Sequence, residues 1–416
     1  MTILIVAVGS YGDVLPLVGL GRALRSRGHA VTLFTNSHFA NLVQHAGLQF
    51  VAMGSAEEYE EVANHPDLWH PHKGWRVIMK RMMSGTFLKE AYQLLCSHLV
   101  PGKTILISTT LAFVARLVQE TQQIPLVTVH FSPGVFHSAY QAPRMPGLPL
   151  PNWLPVRLKQ GVWKVIDHLL IDPLLKPKLN RLRRELGLPP VSRIFHHWLH
   201  SPDLVLGLFP QWFAAPQPDW PPSTVLTGFP LYDEASDSDL PTSIQDFLNV
   251  HPRPLVFTPG SANKYGTSFF AEAAKDCQVL NRPGIFLTRY SEQLPQSLPS
   301  QVAHFSYAPL SQLLPHCAAL IHHGGIGTCS QALQAGIPQL IQPYAFDQFD
   351  NGARIEQLGV GRTISQRSFR SPIIAGHLQD LLSSKEVATA CHSLKNLFKD
   401  TNPLGESCIL IERMMS

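Results

Sequence analysis

Unbroken runs of valine, isoleucine and leucine alternate with helical patterns along both halves of this chain. A strand with one wet face would alternate apolar and polar residues, so such runs point to parallel sheets covered by helices on both faces. In the first half they fall at residues 3–8, 30–34, 48–52, 104–107 and 126–129; in the second, at 255–257, 284–287, 302–305, 318–321 and 339–341. Between the first two, Leu17, Leu20 and Leu24 share a helix face that ends at Gly28. The expected fold is α/β, with two doubly wound domains. That number suits 416 residues, too many for one ordinary core. The first half lacks a G-x-G-x-x-G fingerprint, so a nicotinamide cofactor is not indicated.

Charged residues make up 15% of the chain, against roughly 25% in typical domains, and the net charge is +4 without a long basic run. Nucleic acid is therefore not an expected partner, while weak attraction to acidic lipid stays open. Six cysteines are scattered with no C-x-x-C pair, as in reduced cytoplasmic thiols. The apolar start at 3–8 is short and has no basic flank, unlike a signal peptide. No run reaches the roughly 18 apolar residues of a membrane span. These features suggest a cytoplasmic protein, soluble or peripheral at the inner membrane face. Residues 56–101 read as helical, with Trp69, Trp75, Met79, Met82, Met83 and Phe87 among several lysines and arginines. Helices packed on the sheet, an acceptor pocket and a membrane-touching face all fit that composition.

Residues 321–351 carry the densest chemistry. The run at 318–321 stops at His322 and His323, and three glycines then open a helix. A strand, a glycine turn and a helix N-terminus present unpaired N–H groups and a positive dipole end to an anion, which suits a diphosphate. His323 can add a side-chain donor. Asp347 and Gln348 follow the next run, past a strand's carboxyl end where parallel sheets hold ligands. A carboxylate beside an amide suits sugar hydroxyls. Two other signals are discounted. The D-S-D of Asp237 to Asp239 lies in an acidic stretch without a flanking strand, and His196, His197 and His200 lack an acidic or cysteine partner for a metal. Those histidines are expected to be satisfied structurally.

The 321–351 segment resembles the donor-binding motif of family 1 glycosyltransferases, which have the GT-B fold. The opening G-S-Y-G-D-V-L-P, residues 9–16, resembles that of the sterol and antibiotic glycosyltransferases. Residues 193–202, 208–220 and 227–233 resemble the rhamnosyltransferase B chain of rhamnolipid synthesis. The resemblance implies two Rossmann-like domains facing a cleft. They would comprise an acceptor-binding domain over 1–228, a linker over 229–252, a nucleotide-sugar-binding domain over 253–395, and a final helical stretch, 396–416, packed back on the first domain.

It also implies roles. Asp13, in a loop after the first strand, is the expected base, with His130 a candidate assistant; capping a helix that starts near Pro16 is the structural alternative for Asp13. Other branches have a histidine at that position, paired with an acid, so that dyad is absent or replaced here. His323, Gly325, Gly327, Thr328 and Ser261 would hold the diphosphate, and Asp347 and Gln348 the sugar. Tyr307 would stack on the base and the backbone at Ala308 read its edge. Leu310 and Gln331 stand where plant enzymes have ribose-binding glutamine and glutamate, which favours a deoxyribose and hence a dTDP-sugar. No metal or cofactor is expected, and the partners are a nucleotide-sugar donor and a hydrophobic or lipid acceptor. The expected reaction is inverting transfer, with dTDP-rhamnose the favoured donor. UDP-glucose transfer to a sterol or polyketide, a nucleotide-sugar 2-epimerase of the same fold, and a noncatalytic binding partner are the alternatives.

Overall fold

The computed structural model describes residues 1–148, 150–233 and 240–415. They form two compact units. The first comprises Met1–Leu68, His72–Pro230 and Asn402–Ser416; the second, Trp69–Pro71 and Leu231–Thr401.

The first unit is built on seven parallel strands: β1 (Thr2–Val6), β2 (Ala30–Thr35), β3 (Gln49–Ala52), β4 (Thr104–Thr109), β5 (Leu126–His130), β6 (Leu204–Gly207) and β7 (Thr224–Leu226). Their order is β3-β2-β1-β4-β5-β6-β7, with Ile3 in register with Val31 on one side and Ile105 on the other. The apolar runs lie inside because helices cover both faces: Leu4, Val6, Phe34, Leu106, Val118 and Leu126 share one core cluster. The 56–101 stretch forms helices Ala56–Ala63, Gly74–Met82 and Gly85–Cys96. Met79, Met83 and Leu88 are buried against Leu175, Leu179 and Trp198, so this part of the methionine-rich surface is core packing.

The second unit has six parallel strands: β8 (Leu255–Thr258), β9 (Gly284–Leu287), β10 (Val302–Phe305), β11 (Ala319–His322), β12 (Gln339–Ile341) and β13 (Gly361–Thr363). Their order is β10-β9-β8-β11-β12-β13. Part of the expected linker is a structured portion of this unit: helix Thr242–Val250 buries Ile244 among Val256, Ile285 and Leu320. The Asp237 to Asp239 sequence lies outside the described residues.

The last helix, Pro403–Glu412, packs on helix Tyr11–Ser26. Ser407 and Thr227 hydroxyls meet at 3.0 Å, and Glu412 ion-pairs with Arg27 at 2.6 Å and His29 at 2.8 Å. The bond from Arg27 holds the Glu412 carboxyl down at about 2, with His29 helping. Among the described residues no helix is long and apolar enough to cross a membrane.

Candidate donor and catalytic sites

In the second sheet the strand order reverses between β8 and β11, and the crevice beyond the carboxyl ends of two such strands is where open α/β sheets hold ligands. The loops there are Thr258–Ser261 and His322–Gly325. His322 is a strut: its Nδ1 accepts the Gly324 N–H at 3.1 Å, so Nε2 carries the proton and donates to Gln339 Oε1 at 3.0 Å. His323 turns the other way. A Cβ on Gly260, whose φ is +100°, would meet the His323 ring at 2.9–3.1 Å, so only glycine lets that loop lie so close to the ring. Burial pulls the His323 imidazole down to about 4, so it is neutral at pH 7, and its buried Nδ1 has no protein partner.

Gly325 is the N-cap of helix Ile326–Ala335. The first intrahelical bond from the new turn is Cys329 N–H to Gly325 O at 2.9 Å, which leaves the N–H groups of Ile326, Gly327 and Thr328 without intrahelical acceptors. Gly327 is exposed and Thr328 half-buried, while Ser261 is exposed on the neighbouring loop. Three free amides, a dipole end and a neutral imidazole make an anion cradle without a formal charge.

Asp347 is the N-cap of helix Gln348–Gln357 and accepts from Asn351 Nδ2 at 2.8 Å. The same amide group donates to the Gly324 carbonyl at 3.0 Å, so Asn351 fastens the Asp347 carboxylate to the glycine turn. Sequence reading assigned Asn351 no role. The i to i+4 spacing from Asp347 was the available signal. Gln348 is buried, and its Oε1 accepts the Tyr344 and Ala345 N–H groups at 2.8 and 3.0 Å. Its oxygen shapes the loop, which leaves Nε2 as the end that can serve a ligand.

Tyr307 is partly exposed and Ala308 buried. Gln331 is buried; its Nε2 donates to Asp233 Oδ1 at 3.3 Å, while its buried Oε1 has no protein partner. Asp233 Oδ2 also accepts the Ser311 N–H at 3.0 Å, which ties it to the turn after Pro309. The 227–233 segment ends on this carboxylate, but nothing local in the sequence marked its contact with Ser311, 78 residues away.

In the first sheet the order reverses between β1 and β4. Asp13 stands there in the first turn of helix Tyr11–Ser26, not in a preceding loop, because Ser10 is the N-cap and starts the helix well before Pro16. Asp13 Oδ2 accepts the Ser10 N–H at 2.8 Å and lies 3.3 Å from Ser10 Oγ, completing a capping box. The carboxylate folds so tightly over Gly9, at φ +142°, that a Cβ there would collide with it.

His130, at the end of β5, is fully buried with both ring nitrogens occupied: Nδ1 by Thr110 Oγ1 at 2.9 Å and Nε2 by His200 Nδ1 at 2.9 Å. Burial pushes it down to about 3. In this structure it bridges Thr110 and His200 inside the unit. The expectation that the histidines are satisfied structurally holds only in part: His200 Nδ1 is engaged by His130, while His200 Nε2 and His196 Nδ1 are buried without a protein partner. Arg193 reaches His197 Nε2 at 2.7 Å. Among the described residues no cluster of histidine, cysteine and acid could hold a metal.

Residues 3–141 match the model of the glycosyltransferase family 28 N-terminal domain, and residues 285–401 that of the erythromycin biosynthesis protein CIII-like C-terminal domain. Each half of the chain thus resembles a domain of known glycosyltransferases, and the two parallel-sheet units have the α/β architecture of the GT-B fold. The chain is 27% identical over 433 residues to a sterol 3-beta-glucosyltransferase of Debaryomyces hansenii, covering 96% of this chain but only 26% of that protein's length. It is 25% identical over 439 residues to the O-mycaminosyltylonolide 6-deoxyallosyltransferase of Streptomyces fradiae, covering 99% of this chain and 97% of that one. A solved spinosyn rhamnosyltransferase complexed with thymidine diphosphate shares the fold at a TM-score of 0.70, with 18% identity and full coverage of both chains.

Proposed function

We propose that the chain is an inverting, metal-independent glycosyltransferase that moves rhamnose from dTDP-rhamnose to a hydroxyl of a lipid-like acceptor. The observation that carries this reading is the cradle at β8 and β11, where three unpaired amides and neutral His323 converge on a site suited to a diphosphate. Bond breaking puts charge on the departing β-phosphate oxygen. A helix N-terminus contributes about 0.3–1 kcal/mol and each charge-assisted hydrogen bond about 1.5–3 kcal/mol, so two or three together lower the barrier by several powers of ten in rate. Asp347, held by Asn351, and the amide of Gln348 orient the sugar. Asp13 takes the acceptor proton as the acceptor oxygen bonds to the anomeric carbon and the nucleoside diphosphate departs.

Leu310, and Gln331 with its Nε2 engaged by Asp233, leave fewer polar groups for a ribose 2′-hydroxyl, which supports a deoxyribose donor. The middle segments resembling a rhamnosyltransferase support the sugar. A second reading, glucose transfer from UDP-glucose to a sterol, draws support from the fungal and plant relatives named as sterol glucosyltransferases. Titration with dTDP-rhamnose and UDP-glucose, followed by mass analysis of products from lipid and sterol acceptors, separates them. Tighter UDP-glucose binding with a glucosylated sterol product would replace the first reading by the second. No binding of either donor, or equal binding by His323→Ala, would end both.

A further inference from the structure

In the first unit, helix Val156–Ile166, a π-helical turn Asp167–Ile171 and helix Asp172–Glu185 follow one another without a break. Their inner side is anchored by Trp163, Ile171, Leu175 and Leu179, all buried. The outer side is apolar too. Leu158, Val165 and Leu169 are 57%, 55% and 63% exposed, and their spacing of seven and four residues aligns them in one stripe. Arg157 and Lys164, both exposed, sit one residue earlier at the first two steps and put positive charge beside it, with exposed His168 at the third. The π turn holds back the helix phase, and exposed Leu170 and Leu174 carry the apolar stripe onward. Trp153, 81% exposed, stands just ahead of the first helix.

Along the apolar stripe, from residue 153 to 174, the exposed charges have one sign. The only carboxylates between residues 152 and 184 are Asp167 and Asp172, and both are buried. Asp167 ion-pairs with Arg193 at 3.1 Å, and Asp172 accepts the N–H groups of Arg193 and Ile194. Lys178, Arg181 and Arg184 are exposed further along the same helix.

We propose that this face docks on the surface of a bilayer carrying anionic lipid. An exposed apolar stripe of this size calls for a covering partner, and a rim of cations selects a negative one. Leucine and tryptophan side chains enter the interface while the long arginine and lysine stems reach the headgroups. A second copy of the same face fits worse, because it would set cations against cations.

The test uses the full chain and vesicles of phosphatidylcholine alone or mixed with phosphatidylglycerol. Vesicle binding is read without any sugar donor, so its outcome leaves the proposed reaction where it stands. Wild type is expected to partition onto the mixed vesicles at least tenfold more strongly, as roughly 1 kcal/mol per basic residue implies. Leu158→Asp with Leu169→Asp is expected to lower that binding about tenfold at unchanged thermal stability, and Arg157→Glu with Lys164→Glu to abolish the preference for anionic lipid. Leu169→Asp alone serves if the double variant is unstable. Equal partition onto both vesicle types, or wild-type binding by the variants, overturns the proposal. So does a concentration-dependent dimer that these substitutions dissociate, since it would assign the face to a second copy.

Discussion

Asp13 has an observed structural job and a proposed chemical one, which single substitutions can separate. Its carboxylate accepts the Ser10 N–H as part of the capping box, and in the proposed reaction it takes a proton. Asparagine retains a carbonyl acceptor for the cap but cannot act as the base. Asp13→Asn is therefore expected to change stability by no more than about 0.5 kcal/mol while lowering kcat by at least about a thousandfold. Asp13→Ala should lose both, with a further loss of about 1 kcal/mol. Thermal unfolding and turnover measured side by side check this, and an active Asp13→Asn would leave Asp13 only its structural job. A second residue-scale test concerns Gly260. Alanine there meets a positive φ and the His323 ring at once, so Gly260→Ala should displace the imidazole and weaken donor binding about tenfold or more in a titration.

Among the elements, helix Thr267–Val279 contains an unusual acid. Asp276 is fully buried, neither carboxylate oxygen has a hydrogen-bond partner, and burial pushes it up to about 7, with nearby Ser371 opposing the shift. Its folded value lies above its unfolded value, so the folded state binds more protons between them. Stability therefore falls as pH rises from about 4 to about 7, and the penalty stays in force above that. Asp276→Asn should leave the midpoint nearly unchanged at pH 4 and raise it by roughly 3–6 °C at pH 8, as followed by calorimetry. Element identity was legible in the sequence where a strand is covered on both faces, as in β1, β4, β8 and β11, because burial alone dictates an apolar run. It was not legible in β7 and β13, three-residue edge strands with partly exposed residues, nor in β6, which runs into Leu208, Phe209 and Pro210. Missing β6 also hid the pairing of His130 with His200, which exists only because the chain after His200 enters the strand beside β5. The glycine turn of the cradle was legible because backbone chemistry depends on residue identity. Asn351 and Asp233 act through contacts 27 and 78 residues away in the chain, which only the folded sheet creates.

At the scale of the whole molecule, the chain leaves the first unit after Pro230 and returns to it at Asn402, so the first unit is made of segments far apart in sequence. The returning helix Pro403–Glu412 buries Cys408 and Ile411, joins Ser407 to Thr227 through their hydroxyls, and closes on Arg27 and His29 through Glu412. The ion pair is exposed and screened by solvent, whereas burying the Ile411 side chain contributes about 1.5–3 kcal/mol and Cys408 adds further apolar burial. Apolar burial thus dominates, and Glu412→Gln should cost little. Truncation after Thr401 should instead uncover the helix Tyr11–Ser26 and lower the stability of the first unit by about 3–5 kcal/mol. Hydrogen exchange is the suitable readout. Amides of β1 and β2, beside that helix, should lose protection by two to three powers of ten, as about 1.4 kcal/mol per factor of ten implies, while those of β8, β9 and β11 keep theirs. Equal loss in both sheets would mean that the two units unfold as one.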